Sequence, residues 1–177
     1  MARGRSQFVA AAGQYFLAYG LAVRQLNVAI TSGNAPSVDV LASSSDGRFS
    51  MSFQVKTSRN AYRQRRYGNE GHEWDVGKSV IGKHSSSFWY AFVNLREQEG
   101  RWDPTIFFVP SRWVSEFVKE GFSRYMYFLG SHDPNFVIEQ TFERWDLVKG
   151  YLSGEKIAND WANDWPKDKL VQWGKDL

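Results

Sequence analysis

The stretch that decides the fold runs from residue 37 to residue 57, SVDVLASSSDGRFSMSFQVKT. Its middle carries Asp46-Gly47, a pair typical of a tight turn between antiparallel strands. The second half alternates in character: apolar side chains at Phe49, Met51, Phe53 and Val55 fall on one face, and Ser50, Ser52, Gln54 and Lys56 on the other. The stretch therefore predicts a β-hairpin of residues 37–42 and 49–57 with one buried face and one polar face.

A two-residue turn at Asp46-Gly47 would fix which residues of this hairpin lie opposite one another. Asp39 then lies opposite Gln54. Lys56 follows two residues later on the same polar face, so a carboxylate, an amide and an ammonium group converge. The alternative is an ordinary polar face turned to solvent, which needs no chemical role.

The residues before the hairpin predict a helix and a short strand. Ser6 can cap a helix that extends to about residue 26. An apolar stripe at helical spacing is expected to pack this helix on the sheet through Phe8, Ala12, Tyr15, Tyr19, Val23 and Leu26. Residues 28–31 predict a buried strand, and the Ser-Gly-Asn-Ala-Pro segment that follows predicts a turn.

Further elements are predicted after the hairpin. Residues 87–95 and 105–109 predict buried strands, bounded by residues 96–104 and by Pro110, and a helix is expected from Ser111 to about Glu120. The stretch 59–68 is too basic for a core element and predicts an exposed loop or helix.

The tail contains an Ala-Asn-Asp-Trp repeat that predicts a tryptophan-rich helix. Ile157, Trp161 and Trp165 are spaced four apart and are expected to pack on the body, with carbohydrate or base stacking the less favoured alternative. The whole chain, residues 1–177, is thus expected to form one α/β domain. Its core would span about residues 6–120 and its C-terminal extension about residues 140–177.

Composition excludes several classes of protein. With 177 residues, 42% of them hydrophobic and 16% aromatic, the chain is expected to be one globular domain and not a disordered segment. The absence of cysteine excludes a disulfide scaffold, a thiolate zinc site and a cysteine nucleophile. The three histidines are too few and too scattered for a histidine cluster, so a metal would be bound through oxygen. No apolar run reaches the roughly 18 residues of a membrane span, which favours a soluble cytoplasmic protein with no membrane partner.

Charge is distributed unevenly along the chain. Residues 1–66 carry nine basic and two acidic residues, a net charge of +7, while the remainder carries a net charge of −4. Such a basic segment is typical of a surface that binds nucleic acid. Its expected contacts are phosphates and stacked bases, through Arg59, Tyr62, Arg63, Arg65, Arg66 and Tyr67. The alternative is a solvated basic loop with no partner.

Several of these segments together resemble the core of the PD-(D/E)XK nuclease superfamily, the restriction-endonuclease-like fold that includes Holliday-junction resolvases. They are Gly13-Gln14, residues 26–31, residues 37–41 and residues 53–57. In that family a helix leads into a meander of strands, an Asp opens the second strand and an acid-x-Lys triplet lies on the third. The matching positions are Asp39 and Gln54-Val55-Lys56, with Gln14 where a glutamate is often found. The resemblance covers the first half of the chain firmly and the second half loosely.

The resemblance implies a central mixed β-sheet flanked by helices and a metal-dependent endonuclease. The substrate would be DNA, cut in repair, recombination or defence. Asp39, Gln54 and the backbone carbonyl of Val55 would hold Mg²⁺ or Mn²⁺, and Lys56 would orient or help deprotonate the attacking water. Because glutamine stands at both 14 and 54, Asp39 is the only carboxylate among the matched positions, which predicts weak metal affinity. Glu73 is a reserve carboxylate.

The main alternative is a nuclease-fold module that binds nucleic acid and has lost cleavage. Gln14 and Gln54 are consistent with it, whereas Lys56 favours the nuclease, because a decayed site has no physical reason to keep an ammonium group there. A protein-interaction scaffold would leave the basic segment unexplained. A homodimer is compatible with either function.

Overall fold

The computed structural model describes residues 3–31, 37–64, 70–119, 126–130 and 141–155. Within these ranges the elements are, in chain order, α1 (Arg3–Ala22), β1 (Asn27–Ile30), β2 (Val40–Ser43), β3 (Ser50–Arg59), β4 (Tyr62–Gln64), β5 (Glu70–Asp75), a 3₁₀ turn (Lys78–Val80), β6 (Phe88–Gln98), β7 (Arg101–Pro110), α2 (Ser111–Lys119), β8 (Met126–Gly130) and α3 (Trp145–Leu152). No helix among the described residues is long and apolar enough to cross a membrane.

The strands form a five-stranded and a three-stranded sheet. The larger sheet has the order β1-β2-β3-β6-β7, and the smaller one has the order β4-β5-β8. In the larger sheet β1, β2 and β3 form an antiparallel meander, β6 runs parallel to β3, and β7 returns antiparallel to β6. The expected α/β class with a mixed sheet flanked by helices is therefore confirmed.

The hairpin of β2 and β3 has the predicted register. Val40 lies opposite Phe53, and Ser43 lies opposite Ser50. The turn is wider than expected, because the N–H of Ser44 donates to the carbonyl of Phe49 at 3.0 Å and leaves four residues, 45–48, in the loop. Exchanging a two-residue loop for this four-residue one leaves every opposed pair in place, so the buried and polar faces of β3 are as predicted.

The larger sheet carries a hydrophobic core on each face. On the first face, Met51, Phe53 and Val55 of β3 pack with Leu17 and Leu21 of α1 and with the buried side of α3. On the second face the core is aromatic and contains Tyr90 and Phe92 of β6, Phe107 of β7 and Trp113 and Phe117 of α2. The helices thus cover opposite faces, and the start of β2 lies beside α1.

The prediction of which face of α1 packs on the sheet is wrong. The buried face contains Gly13, Leu17, Gly20 and Leu21, whereas much of the predicted stripe is exposed: Phe8 by 79%, Tyr15 and Tyr19 by 67%, and Val23 by 55%. The reason is steric. Glycine lets the helix axis approach the neighbouring groups closely, and at Gly20 even a Cβ atom would overlap the indole ring of Trp145.

Other predicted elements are confirmed with corrected bounds. The strands expected over 87–95 and 105–109 are β6 and β7, which continue through residues 96–104 as one long hairpin. Its turn residues Glu99 and Gly100 have φ values of 52° and 74°, as a tight hairpin turn of two residues requires. Pro104 is tolerated because β7 is an edge strand. The helix predicted from Ser111 is α2.

The basic stretch 59–68 is not simply a loop or a helix. β3 continues to Arg59, and residues 62–64 form β4, which pairs with β5. Residues 62–64 form a strand despite the high local charge because their backbone pairs with β5. Residues 65–69 and the tail from 156 to 177, with Ile157, Trp161 and Trp165, lie outside the described residues.

The smaller sheet packs on the second core through a histidine. The ring of His72 lies 5.0 Å from that of Phe107, 5.3 Å from Tyr62 and 5.8 Å from Trp74. Its Nδ1 is buried and has no hydrogen-bond partner among the described residues. Burial lowers the pKa of His72 from 6.5 to about 4, because a charged ring at this position would be held away from water without a compensating partner.

We therefore expect a loss of stability in mild acid. The unfolded chain takes up the His72 proton near pH 6.5 and the folded chain only near pH 4, so the free energy of unfolding falls as the pH drops between those values. After discounting for partial exposure, the loss is about 1–2 kcal/mol. Urea denaturation at pH 7 and pH 4.5 measures it. His72→Phe should remove this component and exposed His84→Asn should keep it; an unchanged pH profile in His72→Phe would contradict the assignment.

Candidate active site

Asp39 is fixed at the point where β2 begins. Its carbonyl accepts a hydrogen bond from the N–H of Thr31 at 3.0 Å, and its own N–H donates to the carbonyl of Phe53 at 2.8 Å. The Asp39 backbone is therefore held between β1 and β3. The sequence predicted that Asp39 pairs with Gln54. Regular pairing ends at Val40 opposite Phe53, so Asp39 and Gln54 are not paired directly.

The carboxylate of Asp39 completes the edge of β3. Its Oδ2 accepts a hydrogen bond from the N–H of Val55 at 2.7 Å. The carboxylate thus takes the place that a backbone carbonyl would occupy if β2 began earlier in the chain. The N–H and the carbonyl of one strand residue point the same way, so the Val55 carbonyl faces the same gap. This gap between the start of β2 and the middle of β3 contains a carboxylate and faces a peptide carbonyl.

Gln14 reaches Asp39 from α1. Its Nε2 donates to Oδ1 of Asp39 at 3.1 Å. This contact depends on the close approach of α1 to β3 at the preceding residue, where a Cβ on Gly13 would lie 3.0 Å from Cβ of Thr57 and overlap its Oγ1. Gln14, which the resemblance places among the site residues, thus lies against Asp39 and orients its carboxylate as an amide donor.

The side chains of Gln54 and Lys56 lie on the face of β3 opposite to the buried side chains of Phe53 and Val55. They alternate with Phe53 and Val55, and their partners on the parallel strand β6 are Tyr90 and Phe92 of the second core. Both side chains are partly exposed, and within the described residues neither makes a side-chain hydrogen bond or an ion pair. The structure therefore brings Gln14, Asp39 and the Val55 backbone together, and among the described residues no hydrogen bond or ion pair joins the Gln54 and Lys56 side chains to that group.

The oxygen donors at this edge are of the kind that suits Mg²⁺. They are the carboxylate of Asp39 and the carbonyl of Val55, and the preceding residue of β3, Gln54, carries an amide. Among the described residues no group of three or more histidine or acidic side chains could hold a metal ion. The reserve residue Glu73 lies on β5, and the side-chain hydrogen bonds of Asp39 go to Gln14 and Val55 instead. These donors supply one negative charge, that of the Asp39 carboxylate, so they fit a divalent cation that is held weakly.

Some of the residues that are predicted to bind nucleic acid lie within the described ranges. Arg59 ends β3, and its guanidinium carbon lies 5.0 Å from the ring centroid of Trp102. Tyr62 is 43% exposed, and its ring packs edge-on against His72. Arg63 is described through its backbone pairing with Gly71, and Arg65, Arg66 and Tyr67 lie outside the described residues.

Sequence reasoning missed Trp102. The side chain is half exposed near the end of the β6–β7 hairpin and lies beneath Arg59. The available signal was an aromatic residue between Arg101 and Asp103, since a tryptophan flanked by charged residues in a hairpin is unlike a core position. Its pairing with Arg59 depends on the length of β6 and β7.

The comparisons with known proteins found no match: no family model, no curated protein and no solved structure corresponds to this chain.

Proposed function

We propose that this protein is a metal-dependent nuclease that hydrolyses DNA phosphodiester bonds at the edge between β2 and β3. The observation that carries the proposal is the position of the Asp39 carboxylate. It is fixed by Gln14 and by the N–H of Val55, at 3.1 and 2.7 Å, in a gap that the Val55 carbonyl also faces. Gln54 and Lys56 flank that backbone position on the same strand.

The order of elements supports a restriction-endonuclease-like core. A helix, α1, leads into the antiparallel meander of β1, β2 and β3. Asp39 stands immediately before the second strand, and Gln54-Val55-Lys56 lies in the middle of the third. These are the positions at which the resemblance expects the acid and the triplet.

Each residue has a proposed role in the reaction. Asp39, Gln54 and the Val55 carbonyl would hold Mg²⁺ or Mn²⁺, and Gln14 orients the Asp39 carboxylate. When bound, the ion supplies polarisation of the scissile phosphate and activation of water. Lys56 has no ion-pair partner in the described residues, so its ammonium group is available to the water or to the phosphate. Arg59 and the basic segment after it would bind flanking phosphates.

One observation favours the binding module as a second candidate. Both carboxylate oxygens of Asp39 already accept hydrogen bonds, so the residue has a structural role even without a metal. In that case the basic segment would bind nucleic acid and no bond would be cut.

Gln54→Glu tests the site directly. A second negative charge at the ligand position should tighten Mn²⁺ binding by at least about tenfold, since the added attraction to a divalent ion at contact distance exceeds 1.4 kcal/mol. Isothermal titration calorimetry measures the affinity, and cleavage of duplex, single-stranded and branched DNA is assayed in parallel. Exposed Gln98→Glu adds the same charge elsewhere and should change nothing. If wild type cuts none of these substrates and Gln54→Glu binds no metal, the nuclease proposal fails and the binding module replaces it.

A further inference from the structure

An apolar groove lies along α1 and β3, the two elements that also carry Gln14 and Val55 of the candidate site. It has a volume of about 430 Å³, a size typical of small-ligand sites, and lies between the first half of α1, the end of β3 and the β6–β7 hairpin. Its apolar wall consists of Phe8, Ala12, Phe16, Leu95, Trp102 and Pro104. A larger depression of about 800 Å³ continues from it past Ser6, Thr57 and Ser58. Phe8, Val9 and Arg59 border both.

The groove offers aromatic faces and a positive charge in one place. Phe8 is 79% exposed and Trp102 is 50% exposed, so both rings are accessible to a ligand. The guanidinium of Arg59 lies over the Trp102 ring, so the edge of the groove is cationic. The residues described as lining the groove and the depression include hydroxyl groups and no acid. This combination fits a nucleobase with its phosphate: rings to stack on, a cation and hydroxyl donors.

The distance from the candidate site matches one or two nucleotides. Phe8 precedes Gln14 by six residues of helix, which is about 9 Å. Arg59 follows Val55 by four residues of strand, which is about 13 Å. A strand whose phosphodiester lies at Asp39 would therefore bring a nearby base to the groove. Bases in a duplex are already stacked on their neighbours, so only an unpaired base can enter.

We infer that this groove binds an unpaired nucleotide of the DNA strand held at the candidate active site, by packing its base against the exposed parts of the Trp102 and Phe8 rings, with the Arg59 guanidinium, which covers one face of Trp102, beside its phosphate. The inference rests on the proposed nuclease function and makes its substrate a strand with unpaired nucleotides near the scissile bond. Stacking of one base on an aromatic side chain contributes enough to change the affinity by roughly 5- to 100-fold.

The test measures binding of the full chain in EDTA, so that it does not depend on cleavage. The probes are a fluorescein-labelled oligo-dT 12-mer, an abasic strand of the same length and charge, and a blunt duplex, followed by fluorescence anisotropy. Wild type should bind oligo-dT roughly 5- to 100-fold more tightly than the abasic strand. Trp102→Ala should lose that difference and keep its affinity for the abasic strand, and Trp102→Phe should keep most of it. Tyr19→Ala, which removes an exposed ring on α1 that does not line the groove, should match wild type.

The outcomes separate this inference from the nuclease proposal. Equal affinity of wild type for oligo-dT and the abasic strand would overturn the groove assignment, as would an equal loss on both strands in Trp102→Ala. If Trp102→Ala instead converts a dimer to a monomer with unchanged DNA affinity, the groove is a contact with a second copy and the inference is wrong. Base-dependent binding without any metal-dependent cleavage would keep the groove and refute the nuclease. Metal-dependent cleavage without base-dependent binding would support the nuclease proposal and refute the groove assignment.

Discussion

Asp39→Asn is expected to abolish Mg²⁺- or Mn²⁺-dependent cleavage while DNA binding and the fold stay intact. Asparagine has the same shape as aspartate and keeps an oxygen that can accept from the N–H of Val55. Its amide nitrogen would then face Gln14, whose own amide can turn to present oxygen, so both contacts survive. What is lost is the only carboxylate among the proposed ligands, and with it the charge that holds the ion. DNA affinity should remain because, in the proposed function, Arg59 and its basic neighbours would contact the phosphates.

The measurement pairs a cleavage assay with thermal denaturation of the same preparation. Asp103→Asn is the matched control, since it neutralises an exposed aspartate that pairs with Arg96 at the surface of the β6–β7 hairpin. It should cut DNA as wild type does. Full cleavage by Asp39→Asn would remove Asp39 from the reaction and leave it a purely structural residue. Unfolding of Asp39→Asn would instead show that its charge, and not only its shape, is needed at the edge of β3.

The hairpin around this site was predictable because its signals are local. The alternation of Phe53 and Val55 with Gln54 and Lys56 depends only on the geometry of a strand. The turn residues fix the register, and a loop of four residues in place of two leaves that register unchanged. The pattern placed Asp39 within a strand of residues 37–42, next to the observed start of β2 at Val40.

The direction of the Asp39 side chain was not predictable from that pattern. A regular ladder would have paired Asp39 with Gln54, but β2 begins one residue later, at Val40. The carboxylate then takes the place of a missing backbone carbonyl and bonds to Val55. Where a strand ends depends on what packs around it, and here Gln14 of α1 reaches that end. A single strand pattern contains no signal for such a contact.

The packing face of α1 was mispredicted because both faces of the helix are apolar. Tyr15 and Tyr19 stand at the same helical spacing as Leu17 and Leu21, so hydrophobicity alone does not choose between them. The helix instead packs where it can come closest, and glycine has no hydrophobic signal to mark that face. The exposed face that results also brings Phe8 to the groove.

Gly13→Ala is expected to destabilise the protein strongly, although alanine is the better helix former. In an exposed helix the exchange would stabilise by about 1 kcal/mol. Here the added Cβ would overlap Oγ1 of Thr57 and lie 3.0 Å from both its Cβ and its Cγ2, atoms that a short branched side chain cannot move away. α1 must then shift off β3, at a cost of about 2–3 kcal/mol. For a domain of this size that lowers the melting temperature by about 4–12 °C.

The same shift should reach the candidate site. Gln14 is the next residue of α1, so moving the helix lengthens its 3.1 Å bond to Asp39 and should slow cleavage as well as lower stability. Thermal and urea denaturation measure the loss, and Thr57→Gly supplies the control because it removes the atoms that the new methyl group meets. Gly13→Ala should cost much less in the Thr57→Gly background than in wild type, because the two changes are coupled through one contact. Ala12→Gly, at an exposed neighbouring position, should destabilise by about 1 kcal/mol through helix propensity alone. A Gly13→Ala protein as stable as wild type would show that α1 does not approach β3 this closely, and the position of Gln14 beside Asp39 would lose its support.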